Sequence, residues 1–190
     1  MRPIKGFARL RIIAGEFRGR KLLPPETEAT RPITDRVKQS LFDILTPCLD
    51  GATVYDCFAG TGSLGLESLS RGAEHAVFFE TDRSAAALLR RNIAALGLGA
   101  RSTVIRGDVF SNLHRATTPA SIVFLDPPYR MLSTQPDDLR KLAAAICENH
   151  LAPEGLVILR HSIGDRIDLP PLRRIDMRSY GKMRVELLSK

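Results

Sequence analysis

The sequence predicts an α/β fold in one domain: a doubly wound, mostly parallel seven-stranded sheet with an antiparallel C-terminal strand, preceded by a short basic N-terminal β-hairpin and helix extension. Three observations carry that prediction. From residue 53 to residue 161, short runs that are apolar on both faces alternate with helical segments, the pattern of a parallel sheet covered by helices on each side. A glycine-rich turn follows the first of these runs, where a strand must hand over to a helix. Beyond residue 171 the alternation gives way to two strand-like runs around a tight turn. With 190 residues, 44% of them hydrophobic, the chain can bury one good core and is too short for two ordinary domains. The expected division is an extension over residues 1–34 and a main domain over 35–190.

Taken in order, R-I-I-A-G-E-F-R-G-R-K-L-L-P (11–24) mixes apolar and basic residues around Gly15 and Gly19, as a short strand pair with an exposed cationic face does. Thr34 can cap a helix over 35–46, where Val37, Leu41, Phe42, Ile44 and Leu45 form one apolar stripe and Pro47 stops it. T-V-Y-D-C (53–57) is the first strand, and a helix over 64–72 closes on Gly72. A-V-F-F-E (76–80) is the second strand, followed by a helix from Arg83 to Leu96 that ends at Gly97 or Gly99. T-V-I-R-G-D (103–108), S-I-V-F-L-D (121–126) and G-L-V-I-L-R-H (155–161) are three more, with a helix between the last two starting near Pro136. Asp137 and Asp138 suit its first turn, where acids favour the helix dipole. After Pro170 and Pro171, L-R-R-I-D-M-R and M-R-V-E-L-L flank S-Y-G-K, a hairpin signature.

Charge narrows the partners. Residues 1–40 hold ten Lys and Arg against four acids, whereas the remaining 150 hold 18 against 17. Nearly the whole +7 therefore sits in the N-terminal fifth, a distribution that attracts a polyanion. A solvated tail is the plain alternative, but the apolar residues interleaved with the cations point to an ordered basic flap. No stretch approaches the apolar length of a membrane span, and cations interrupt the start M-R-P-I-K-G-F-A-R-L-R, so a soluble cytoplasmic protein is expected. Cys48, Cys57 and Cys147 are odd in number and lack a C-x-x-C pair, and His75, His114, His150 and His161 are scattered. Neither a disulfide framework nor a metal site is encoded.

From Asp56 the chain reads D-C-F-A-G-T-G-S-L-G-L-E, in which Gly60, Gly62 and Gly65 spell G-x-G-x-x-G. Glycines let the backbone turn tightly after a strand and approach a ligand, and the next helix presents free N–H groups there. This is the Rossmann-like arrangement. Glu80 closes the second strand 20 residues after Gly60, where a carboxylate can accept both hydroxyls of a ribose. Asp108 closes the third, where it can accept from an adenine amino group. Asp56, Glu80 and Asp108 thus fall on the carboxyl edge of the sheet, although each could instead cap the following turn. The pattern describes an adenosine site, shared by nicotinamide enzymes and users of S-adenosylmethionine.

The fourth strand separates these. It ends in D-P-P-Y, Asp126 to Tyr129, which has a rationale in methylating a nucleobase amino group. An exocyclic nitrogen is a poor nucleophile because its lone pair is delocalised into the ring. The Asp126 carboxylate and the Pro127 carbonyl can hold its hydrogens and favour the geometry that frees that pair. Pro127 and Pro128 stiffen the backbone and preorganise the acceptors, and Tyr129 supplies a face for the extruded base.

These motifs, with V-F-F-E and R-G-D-V, resemble a class I S-adenosylmethionine-dependent methyltransferase of the amino-methylating group. R-I-I-A-G-E-F-R-G-R-K-L, T-R-P-I-T-D-R-V-K-Q-S-L-F-D-I-L and L-G-L-E-S-L-S-R-G-A further resemble the RsmD family, bacterial enzymes that methylate N2 of one guanine in 16S ribosomal RNA. The resemblance implies S-adenosylmethionine as donor, S-adenosylhomocysteine as product, no metal, and 16S rRNA within the assembled or partly assembled 30S subunit as substrate, with the enzyme a monomer. It assigns Asp56 and the loop Phe58, Ala59, Gly60, Thr61 and Gly62 to the methionine end, Glu80 and Thr81 to the ribose, Asp108 and Val109 to the adenine, and Asp126 to donor and target alike. Catalysis falls to Asp126, Pro127, Pro128 and Tyr129. Arg18, Arg20, Lys21, Arg31, Thr34, Arg36 and Tyr129 would meet RNA, with the segment from Thr30 to Arg36 beside the donor and target pockets. Cys57, where a larger apolar residue is common, and Tyr129, where Phe also occurs, are mild departures. A DNA or RNA adenine-N6 methyltransferase is the nearest alternative; a DNA enzyme would need a reader of groove edges beyond one short flap. An NAD-dependent oxidoreductase leaves D-P-P-Y without a task, and the intact acids oppose a non-catalytic RNA-binding protein.

Overall fold

The computed structural model describes residues 10–25, 33–128 and 130–190. One seven-stranded sheet is built from β1 (Thr53–Asp56), β2 (His75–Glu80), β3 (Ser102–Arg106), β4 (Ala120–Leu125), β5 (Leu151–Ser162), β6 (Arg173–Tyr180) and β7 (Met183–Ser189), in the spatial order β3-β2-β1-β4-β5-β7-β6. The first five strands pair in parallel; β7 runs antiparallel to β5 and β6 antiparallel to β7. The helices are α1 (Asp35–Leu45), α2 (Ser63–Ser70), α3 (Arg83–Leu96), α4 (Val109–Asn112), α5 (Met131–Thr134) and α6 (Pro136–Ala145), the last continued by a π-helical turn over Ile146–His150. Among the described residues no helix is long and apolar enough to cross a membrane.

Period-two alternation explains why both faces of these strands are apolar. Val54, Phe78, Phe124 and Ile158 pack in one layer with α1, α2 and α3, while their neighbours Tyr55, Phe79, Leu125 and Leu159 pack in the other with α4, α5 and α6. Each such side chain contributes about 1.5–3 kcal/mol by leaving water. Gly65 is required by this packing, because a Cβ there would run into the Phe78 ring of β2.

Caps fall as the chain dictates. Thr34 accepts from the Val37 N–H at the start of α1, and Gly97, at φ +70°, ends α3. Two expected strands stop short of their acids. β3 ends at Arg106 and β4 at Leu125, so Asp108 and Asp126 stand just beyond the ladder with their side chains released to the carboxyl edge.

Residues 10–22 form a small antiparallel hairpin, with an Arg11–Lys21 bridge and bonds from Leu22 N to the Leu10 carbonyl and from Ile12 N to that of Arg20, both 2.9 Å. Leu10, Ile12 and Leu22 are buried in the same apolar cluster as Leu41, Phe42 and Phe124. The hairpin is fastened by charge as well. Glu67 of α2, fully buried, accepts from Ile13 N at 2.8 Å and Ala14 N at 3.0 Å and pairs with Lys38 at 3.1 Å and Arg71 at 2.9 Å. Lys38 also donates to the Arg11 carbonyl and to Ser63 Oγ, and burial lowers its pKa.

Candidate active site

The glycine turn leaves β1 with Gly60 at φ +54° and Gly62 at φ +89°, conformations that side chains strain to adopt. It is held from the neighbouring strand. The Glu80 carboxylate accepts from Gly60 N at 2.6 Å and, through its other oxygen, from Asp82 N at 2.7 Å. Asp56 is buried at the end of β1 and accepts from Gly65 N at 3.1 Å. Loss of water raises its pKa to about 7, with Asp126 and Glu80 pushing the same way against the Gly65 N–H and Arg160. Asp108 caps α4, accepting from Ser111 N and from Ser111 Oγ, both at 3.0 Å. Each strand-end acid therefore has a local task in holding its turn. A carboxylate nonetheless keeps further lone pairs for a ligand.

Asp56, Gly60, Glu80 and Asp108 open into one cavity of about 350 Å³. Of the residues singled out in the sequence, Asp56, Phe58, Ala59, Gly60, Thr61, Glu80, Thr81, Asp108, Val109, Asp126 and Pro128 line it. Gly62 faces Leu66 and Leu89 instead. Pro127 is buried off the lining. Tyr129 and Arg31 lie outside the described residues. Thr34 and Arg36 stand at the start of α1, whose neighbour Ile33 reaches the cavity. Arg18, Arg20 and Lys21 are exposed on the N-terminal hairpin away from the lining, and Arg20 donates to the Ala95 carbonyl at 2.8 Å.

Ile33, within the segment expected beside the pockets, lines the cavity, whereas other lining residues escaped the sequence reading. Leu10 and Pro25 bring more of the N-terminal segment into the wall, and Phe110 meets Phe58 edge-on, ring centroids 6.3 Å apart. Arg160 of β5 matters most. Its Nε donates to Asp126 Oδ1 at 2.6 Å while Nη2 lies against Oδ2, a two-bond clamp with the arginine 7% exposed. A charge inside the apolar run G-L-V-I-L-R-H was the available signal, since a buried guanidinium requires an acid. Among the described residues no group of three or more His, Cys, Asp or Glu side chains is arranged to hold a metal ion.

A family model described as "Conserved hypothetical protein 95" matches residues 10–189. The chain is 46% identical over 125 residues to the Ribosomal RNA small subunit methyltransferase D of Escherichia coli (strain K12), an alignment spanning 66% of this chain and 63% of that protein's length. It is 38% identical over 154 residues to the protein of the same name in Haemophilus influenzae, covering 78% of this chain and 76% of the other. The solved structure of the Escherichia coli protein yhhF superposes with a TM-score of 0.81 at 34% identity, over 96% of this chain and 98% of that one.

Proposed function

The chain belongs to the RsmD family, and from that membership we propose that it transfers a methyl group from S-adenosylmethionine to the exocyclic N2 of a guanine in 16S rRNA of the small ribosomal subunit. The observation that carries the reading is the shared cavity: the turn at Gly60 and Thr61 and the segment at Asp126 and Pro128 open onto the same space. A donor held by the first thus lies beside a base presented to the second.

The cavity's chemistry suits this donor. Glu80, with lone pairs beyond those given to Gly60 and Asp82, would take the ribose hydroxyls. Phe58, Val109 and Phe110 offer apolar surface to the adenine, and Asp56 and the turn amides face the methionine end. When bound, the donor supplies a methyl group activated on a sulfonium, so the protein's task is alignment. Asp126 and the Pro127 carbonyl accept the two N2 hydrogens and draw the nitrogen lone pair out of conjugation, while Tyr129 stacks on the base. Arg160 is the positioning residue behind Asp126. It takes one lone pair from each carboxylate oxygen, leaves another on each, and holds the acceptor in a single rotamer. The pair is neutral in sum, as suits an uncharged base.

Nucleoside mass spectrometry of 16S rRNA from cells with and without this gene, followed by methylation of the deficient subunits in vitro, tests the reading directly. Loss of N2-methylguanine with the gene, and its return with purified protein, is expected; an unchanged nucleoside profile refutes the reading. Asp126→Asn keeps the shape and is expected to lower turnover about 100-fold while donor affinity, measured by calorimetry, stays within about threefold. Undiminished turnover in that variant removes Asp126 from the mechanism.

A further inference from the structure

We propose that the tip of the β6–β7 hairpin is a second RNA-contact surface, which holds phosphates flanking the target nucleotide on the opposite side of the opening from the N-terminal hairpin. The inference rests on the RNA-substrate reading above and adds to it a surface that the sequence did not single out.

The first support is placement. β6 runs in the same sense as β5, so Tyr180 and the turn at Gly181 and Lys182 lie at the carboxyl edge of the sheet, as Asp126 does. The Lys182 carbonyl accepts from Ile163 N at 2.9 Å, just beyond the end of β5. The guanidinium of Arg160 that clamps Asp126 also reaches Met183 Sδ at 4.0 Å. Tyr180 Oη and Ser40 Oγ are hydrogen-bonded at 2.7 Å, with Arg36 exposed one helical turn earlier on α1. The N-terminal hairpin, by contrast, is fastened to α2 and α3 on the β1 and β2 side, through Glu67 and through Asn92, which accepts from Leu23 N at 2.8 Å. Asp126 at the end of β4 lies between the two hairpins in the strand order.

Charge is the second support. Residues 160–190 carry eight Lys and Arg against four acids, whereas residues 41–159 carry ten against thirteen. The molecule therefore has two basic segments. The second reaches the carboxyl edge at Lys182, and the first reaches it where Leu10 and Pro25 line the cavity, with Lys21 bridged to Arg11 next to the buried Leu10 and Leu22. The far end of the N-terminal hairpin is held at Ser70 and Ala95, in the last turns of α2 and α3. Within the second, Arg160 serves Asp126, Arg174 pairs with Glu186, and Arg178 pairs with Asp176 at the surface. Arg166 and Lys182 are exposed and make no ion pair among the described residues. The nearby acids are Asp165, whose carboxylate accepts from Ser162 N at 3.2 Å, and the exposed Asp168. Ile163, 42% exposed beside Lys182, adds an apolar spot that a ribose or base face could cover. A polyanion crossing the opening would meet Arg166 and Lys182 on one bank and Lys21, beside the cavity-lining end of the N-terminal hairpin, on the other, and neutralising its phosphates releases counterions.

The test is RNA binding by the full-length chain between about 50 and 200 mM salt, using small-subunit rRNA both naked and in subunits. The variant Arg166→Gln/Lys182→Gln is compared with Arg115→Gln/Lys141→Gln, which removes the same charge from the turn before β4 and from α6. The first variant is expected to bind RNA several-fold more weakly and to lower the log–log salt slope by about one to two, at roughly 0.7–0.9 per phosphate contact. Its donor affinity should equal the wild type's. An unchanged slope, or an equal change in the control variant, overturns the proposal. A loss seen only with protein-containing subunits assigns the surface to a ribosomal protein and overturns it too. Wild-type protein that binds no RNA sinks this inference and the RNA-substrate reading together; wild-type protein that binds RNA without methylating it sinks the reaction alone, and the slopes still judge the hairpin.

Discussion

Asp56 is a single residue whose surroundings set a measurable property of the whole protein. Burial raises its folded pKa to about 7, whereas an unfolded aspartate titrates near 4. Between these values the native state holds a proton that the unfolded state has lost. The Asp56 contribution to stability is therefore full below about pH 4, declines as pH rises through about 7, and is constant above. Thermal unfolding of the unliganded protein should accordingly show a fall in Tm across that window that Asp56→Asn removes. Parallel curves for wild type and variant would mean that Asp56 is ionised throughout. The two acids at adjacent strand ends are held differently: Asp56 accepts from the Gly65 N–H, whereas Asp126 is clamped by the Arg160 guanidinium. At this scale the sequence named most of the cavity's acids but missed their partners. Arg160 stands 34 positions from Asp126, and no local pattern links them.

Among the elements, α2 connects the two halves of the site. Its first turn carries Ser63 and Leu64, which line the cavity, and its second carries Glu67, which secures the N-terminal hairpin and the buried Lys38. Removing one partner of a buried ion pair leaves the other unsatisfied, so Glu67→Ala should cost about 3–5 kcal/mol. Urea unfolding measures this, and a loss below about 1 kcal/mol would show that Leu10, Ile12 and Leu22 alone dock the hairpin. The element boundaries were legible where they rest on local chemistry: Thr34, Pro47, Gly97 and Pro136 mark ends that the structure keeps within a residue or two. The start of β5 was not. It begins at Leu151 rather than near Gly155, because pairing of Ala120 with Leu151 extends the ladder across a register shift, and pairing with a distant strand leaves no periodic mark on the residues that join it.

For the molecule as a whole, the proposed function asks how a protein of 190 residues would select one nucleotide in a large folded RNA. The proposed answer is a target opening between two basic hairpins, which reads the shape of the particle rather than groove edges. Within the N-terminal hairpin, Arg18 and Lys21 are exposed and without ion pairs among the described residues, whereas Arg20 is bound to the Ala95 carbonyl. Arg18→Gln/Lys21→Gln should weaken binding to small subunits and lower the salt slope by about one to two. Arg20→Gln should change the slope less, and donor affinity should be unaltered in both. Equal slopes in all three proteins would return the hairpin to a structural role.

By itself the chain determined the order of strands and helices, the sense of the sheet, the glycine turn and the tetrapeptide after β4, because each of these is written in the periodicity or backbone preference of adjacent residues. Tertiary structure alone decided what faces what: Arg160 against Asp126, Glu67 against Ile13 and Ala14, and the hairpin tip at Lys182 beside the opening. Those contacts join residues far apart in the chain. Their partners are chosen by burial, since a charge or amide withdrawn from water takes whichever complementary group the packed fold brings within reach.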